Sequence, residues 1–162
     1  MIDLKKIKVT SERRVYKIKY SDKDFVIKTP KFIIPFGHEK YNGKIIVNLE
    51  FDTINTDANE YISMIKSIEE IFSRICTECS IDVHPRLKVD IDGYQFITSI
   101  KDRSICNNKI FHHRCHIKDG TSYPRSETQV KSMEATIKLD HLWIHNGSYG
   151  LMWYITDMKV ID

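Results

Sequence analysis

Residues 44–72 read KIIVNLEFDTINTDANEYISMIKSIEEIF, and the spacing of their apolar side chains changes period partway through. At first Ile45, Val47, Leu49 and Phe51 alternate with Lys44, Ile46, Asn48 and Glu50, the two-residue repeat of a strand with one face in a core. Beyond Asp57 the repeat lengthens: Tyr61, Ile65, Ile68, Phe72, Ile75 and Cys79 recur at steps of three and four, with Ser63, Lys66, Ser67, Glu69, Glu70, Ser73 and Arg74 mostly on the other side. This predicts an amphipathic helix over about 57–79, capped by Asn55, Thr56 or Asp57.

The flanks are strand-like. Tyr16, Ile18 and Tyr20 alternate with Lys17 and Lys19, and Phe25-Val26-Ile27 follows a polar turn, predicting an early hairpin with one basic face. Pro30 and Pro35 make KFIIPFGHEKYNGK an extended loop ending in an Asn42-Gly43 turn. Leu87, Val89 and Ile91 predict a strand, joined at Asp92-Gly93 to a second over Tyr94 to Ile100. Residues 101–125 read as a long loop containing one strand around Ile110 to Ile117. Two closing strands, around Ala135 to Leu139 and Leu151 to Ile155, meet through HNGSYG, whose two glycines are expected to supply positive φ. Strands, one mid-chain helix, then strands is the element list of a mainly β, OB-like antiparallel Greek-key barrel with one long amphipathic helix. A sandwich with a packed helix is the alternative.

The chain has 162 residues, the size of one domain, so residues 1–162 are treated as a single unit. No segment is apolar and long enough to cross a bilayer, so no membrane partner is expected. The opening MIDLKKIKVTSERR has no apolar stretch behind its charge and does not read as a secretory signal. The expected compartment is therefore intracellular and reducing, with the four cysteines as free thiols. Charge is uneven. Residues 1–31 hold ten Lys and Arg against four carboxylates, residues 101–125 hold six against two, and residues 48–82 hold eight carboxylates against Lys66 and Arg74. Two basic segments flanking an acidic helix suit a polyanion bound on one side.

Catalytic and metal chemistry find little support. Cys76 and Cys79 have a CxxC spacing, and Cys106, His112, His113, Cys115 and His116 lie close in sequence. However, Cys79 continues the apolar stripe of the helix, and the second group lacks the paired spacing of a zinc finger, so no metal or other cofactor is assigned. No motif joins a cysteine nucleophile to a histidine and a carboxylate, and DIDG at residues 90–93 lacks the later ligands of a calcium loop. The six glycines are scattered and form no phosphate-cradling loop. The chain is read as a non-enzyme.

What remains is basic and aromatic residues interleaved, as single-strand binders require: cations for phosphates and flat rings for bases. The strand bearing Tyr94 and Phe96 runs into Lys101 and Arg103. Phe111 adjoins Arg114, Tyr123 lies between Lys118 and Arg125, and Trp153 and Tyr154 take opposite faces of the last strand. The candidate nucleic-acid-binding set is Lys17, Lys19, Arg86, Lys88, Tyr94, Phe96, Lys101, Arg103, Phe111, Arg114, Lys118, Arg125 and Trp153.

Pro35-Phe36-Gly37 leading into KIIVNLEF, the cap and helix NTDANEYISMIKSIEEIF, and the closing LWIHNGSYGLMWYITDMKVI together resemble the replication single-stranded DNA-binding proteins of phages and large DNA viruses. The resemblance covers roughly residues 30–100 and 130–162. It implies an OB fold that coats single-stranded DNA during viral replication with little sequence preference, in host cytoplasm or nucleus. RNA is a possible second ligand, and the implied protein partners are copies of the chain or other replication proteins. The phage members carry an acidic C-terminal tail, whereas this sequence ends at Asp162 directly after a strand, which sets recruitment by such a tail in doubt. The rival expectation is a viral structural or assembly protein using the same β barrel for protein contacts.

Overall fold

The computed structural model describes residues 2–75, 81–122 and 131–161. Its elements are β1 (Ile7–Glu12), β2 (Val15–Tyr20), β3 (Lys23–Lys28), β4 (His38–Tyr41), β5 (Lys44–Asp52), α1 (Thr56–Ser73), β6 (Asp82–Val83), α2 (Pro85–Asp90), β7 (Gln95–Phe96), β8 (Ile100–Asp102), β9 (Ile110–Ile117), β10 (Ser132–His145) and β11 (Ser148–Ile161).

Tight hairpins organise the strands. The two-residue loops Arg13-Arg14, Ser21-Asp22, Asn42-Gly43 and Asn146-Gly147 all have positive φ at both positions, the backbone whose twist matches that of paired strands. Asn42-Gly43 and Asn146-Gly147 are the sequence signature of this turn, while Arg13-Arg14 is not, so β1 was invisible to the sequence reading. Gly150, expected to supply a second positive φ, instead lies within β11.

Among the described residues the strands form one sheet of 11 in the order β4-β5-β9-β11-β10-β3-β2-β1-β6, with β7 and β8 pairing β11 and β9. The path ends at β4 and β6 rather than closing on itself. The fold is mainly β with one long helix, in a sheet larger and more open than the five or six strands expected. The stretch FHHRCH falls in the strand expected around Ile110 to Ile117. It is the interior of β9, held between β5 and β11, with His112, His113 and Cys115 all buried.

Helix α1 starts where Asn55 accepts a hydrogen bond from the Asp57 amide, and it covers one face of the sheet. Its Tyr61, Ile65, Ile68 and Phe72 are buried with Leu49 and Phe51 of β5 and Leu151, Trp153 and Ile155 of β11. Each such side chain contributes about 1.5–3 kcal/mol. The predicted strand over Leu87 to Ile91 is instead α2. Pro85 occupies the first helical position, where its missing N–H costs nothing, and the His84 side chain caps the Arg86 amide. Leu87 and Ile91 are buried while Val89 between them is exposed, the four-residue spacing of a helix face rather than strand alternation.

The predicted strand from Tyr94 to Ile100 is split into β7 and β8 by a carboxylate. Glu69, expected on the polar side of α1, is instead 3% exposed and accepts hydrogen bonds from the Ser99 amide at 2.9 Å, from the Thr98 and Ser99 hydroxyls, and from Trp153 Nε1 at 3.2 Å. These bonds draw residues 98–99 away from the ladder and fasten them to the helix. Glu69→Ala leaves the buried Trp153 N–H and Ser99 amide without their acceptor. It is expected to cost about 2–5 kcal/mol in urea unfolding, with Glu69→Gln, which retains one acceptor oxygen, costing less. A change within 0.5 kcal/mol for the alanine variant would contradict this role.

Candidate nucleic-acid interface

The face of the sheet opposite α1 carries the outward positions of the same strands. Register aligns Ile46, His116, Tyr154, Lys138 and Val26 in one row across β5, β9, β11, β10 and β3. Beside it lie Asn48 with Arg114, and Met152 with His141 and Lys17. The Tyr154 ring lies 6.2 Å from the His116 ring and 6.1 Å from the His141 ring. Basic and aromatic side chains share this face with the carboxylates Glu39, Glu50, Asp24 and Asp140, while Asp57, Glu60 and Glu70 are exposed on α1 on the other side.

A groove of about 360 Å³ opens on this face. Tyr41, Lys101, Arg114, His116 and Trp143 line it, together with Ile97, Thr98, Ser99, Leu151 and Met152. Alternation along β9 sends Arg114 and His116 outward while His113 and Cys115 go under the helix. Lys101 follows from its pairing with His112, whose ring also faces outward to Glu50 and Phe36. The wall at residues 97–99 is the segment that Glu69 fastens from behind.

Among the described residues lining the groove are two cations and no carboxylate. Burial, with the cationic Arg114 and Lys44 nearby, pushes the His116 pKa down to about 4. His141 is also lowered, burial outweighing its bond to Asp140. The cations beside the groove are partly neutralised within the protein. A bulge opposite Trp153 and Met152 makes Asp140 an extra residue, so that it joins His141 on the open face. Asp140 there accepts from Lys17 at 2.9 Å and Lys138 at 3.1 Å, and bonds His141 Nδ1 at 2.6 Å. Although burial alone would raise its pKa, those hydrogen bonds hold it well below the usual range. Asp24 engages Lys19 at 3.0 Å and Lys138 at 3.4 Å.

Of the candidate set, Lys101 and Arg114 meet in the groove. Lys17 and Lys19 are on the same face but tied to Asp140 and Asp24. Arg103 and Lys118 are exposed at the ends of β8 and β9. Arg86 and Lys88 ride on α2, whose Asp90 bonds Tyr16 on the helix-covered side of the sheet, so they do not join the groove. Tyr94 is exposed, but Phe96 packs edge-on against the buried Tyr149 at 5.3 Å. Two expected stacking residues are corrected. Trp153 is 1% exposed with its N–H bound to Glu69, and Phe111 is buried with the Lys66 ammonium 4.0 Å over its ring, so neither offers a free face to a base. Arg125 and Tyr123 lie outside the described residues, as do Cys76 and Cys79.

The sequence reading missed Tyr41, Trp143 and His116. A usable signal existed for Trp143, since the two-residue turn at Asn146-Gly147 places it opposite Gly150. Comparison with known protein families, curated proteins and solved structures gives no match to this chain. No described helix is long and apolar enough to cross a membrane.

Beneath the groove His113 is fully buried, with Nδ1 2.8 Å from the Tyr61 hydroxyl, and its Nε2 has no hydrogen-bond partner among the described residues. Burial pushes its pKa down to about 3. His113 and His116 are therefore neutral in the fold but take up protons near pH 6.5 once unfolded. The unfolded state binds more protons below pH 6.5, so stability falls as pH drops from 6.5 toward 4, by at most about 1.4 kcal/mol per pH unit for each histidine. Urea midpoints at several pH values in that window are expected to decline less steeply for His113→Gln than for the wild type. Equal slopes would contradict the assignment.

Proposed function

We propose that this protein binds single-stranded nucleic acid, DNA in the first instance, along the uncovered face of its sheet, with little sequence specificity and without a reaction of its own. The observation that carries this is one groove uniting Lys101 and Arg114 with Tyr41 and Trp143, while the exposed carboxylates of α1 lie across the sheet. Phosphates need the cations and unstacked bases need the rings, and a duplex offers its base faces to neither. In this reading the sheet is an enlarged, opened relative of the OB-like Greek-key barrel. The antiparallel β1-β2-β3 meander and the helix inserted mid-chain between β5 and β9 support it. The role is coating DNA during viral replication, alone or with copies of the chain and other replication proteins.

A second reading, a viral structural or assembly protein, is favoured by one feature. The edge strand β4 is exposed along its whole length, between an exposed Phe36 and an exposed Tyr41, and such an edge can pair with another chain.

Titrating the full chain with a labelled single strand at several salt concentrations separates the two. Affinity is expected to fall steeply with salt, with a log–log slope of about −0.7 per phosphate contact. Lys101→Ala with Arg114→Ala is expected to make that slope shallower by about 1.4. Binding that ignores salt, or a stable protein assembly with no oligonucleotide shift, would overturn the proposal.

A further inference from the structure

Gly150 is held to glycine by space. A β-carbon there would lie 2.7 Å from Cζ2 and 2.8 Å from Cε2 of the Trp143 indole, and 2.8 Å from the Ile97 carbonyl oxygen. The six-membered ring of Trp143 therefore rests directly on the β11 backbone at its cross-strand partner. It is braced from below by that backbone, and Ile97, at the start of the wall that Glu69 anchors, approaches the same glycine. It is also one of the rings bordering the groove beside Lys101 and Arg114.

We propose that Trp143 is a preset stacking platform for one base of a single-stranded nucleic acid, whose adjoining phosphate is met by Arg114 and Lys101. This rests on the function proposed above and gives it a specific subsite. An indole already seated loses little rotamer freedom when a base lands on it, so the stacking gain is not offset by ordering. The chain's other tryptophan, Trp153, is sealed under the helix with its N–H occupied. Partial burial suits the role, because one side of the ring is braced while the ring still borders the open groove.

The test uses the full chain and an oligothymidylate of about 20 nucleotides, enough to span a groove of this kind. Binding is read twice, by anisotropy of a labelled strand and by tryptophan emission with an unlabelled one. In the wild type, emission is expected to be quenched on binding. Trp143→Phe keeps an aromatic face, so its affinity is expected to stay within about 3-fold while the quenching disappears, since the remaining Trp153 is buried. Trp143→Ala is expected to weaken binding about 5- to 100-fold at fixed salt and to leave the salt slope unchanged, because the cations remain. If the alanine variant binds as tightly as the wild type, or the phenylalanine variant keeps the quenching, the platform is overturned while the function proposed above stands. If the wild type shows no salt-dependent binding at all, both fall.

Discussion

A buried carboxyl group whose hydrogen-bond donors among the described residues include no cation joins the helix to the sheet. Glu69 is buried under α1 and held by the Ser99 amide, two hydroxyls and an indole N–H. Burying polar oxygens is costly unless they find hydrogen-bond donors, so the position of each donor is strongly constrained. Through Trp153 the helix is tied to β11, and through Thr98 and Ser99 to the segment joining β7 and β8. That segment forms the groove wall on the far side of the sheet. The packed side and the open side are thereby registered to one another by one acid.

The two sides differ because α1 covers one of them. Alternation sends His113, Cys115 and Trp153 under α1, where burial keeps the histidine neutral and raises the cysteine pKa. The same alternation sends Arg114, His116 and Tyr154 to the uncovered side. There the cations fall into two groups. Lys17, Lys19 and Lys138 are woven with Asp24 and Asp140 into a network that rigidifies β2, β3 and β10. Lys101 and Arg114 border the groove instead. A count of lysines along the sequence treats these groups alike, whereas their partners make them different.

Much of the fold was legible wherever a single period governed a segment. The β5 alternation, the α1 stripe as far as Phe72, the strand at Ile110 to Ile117 and the Asn146-Gly147 hairpin appear where their patterns put them, whereas α1 ends at Ser73 rather than near residue 79 and His38–Tyr41, expected in an extended loop, pairs with β5 as β4. Misreadings occurred where a local signal was overridden. Leu87-Val89-Ile91 alternates on paper, but Pro85 and the His84 cap start a helix there. Residues 94–100 would continue as one strand but for the pull of Glu69. In the candidate site, Lys101 and Arg114 were found because charge is visible in sequence. Trp153 is a candidate on sequence alone but lies under the helix, because which side of a strand faces the helix depends on sheet order, and the sequence does not state that order. The Arg13-Arg14 turn left no compositional mark.

The central claim is that the uncovered face, rather than the helical one, meets the nucleic acid. Amide hydrogen exchange of the full chain with and without a saturating single-stranded oligonucleotide tests it most directly. Slower exchange is predicted for peptides covering residues 97–101, 114–116 and 150–152, with α1 and α2 unchanged. Protection confined to the two helices, or no protection anywhere, would contradict the account.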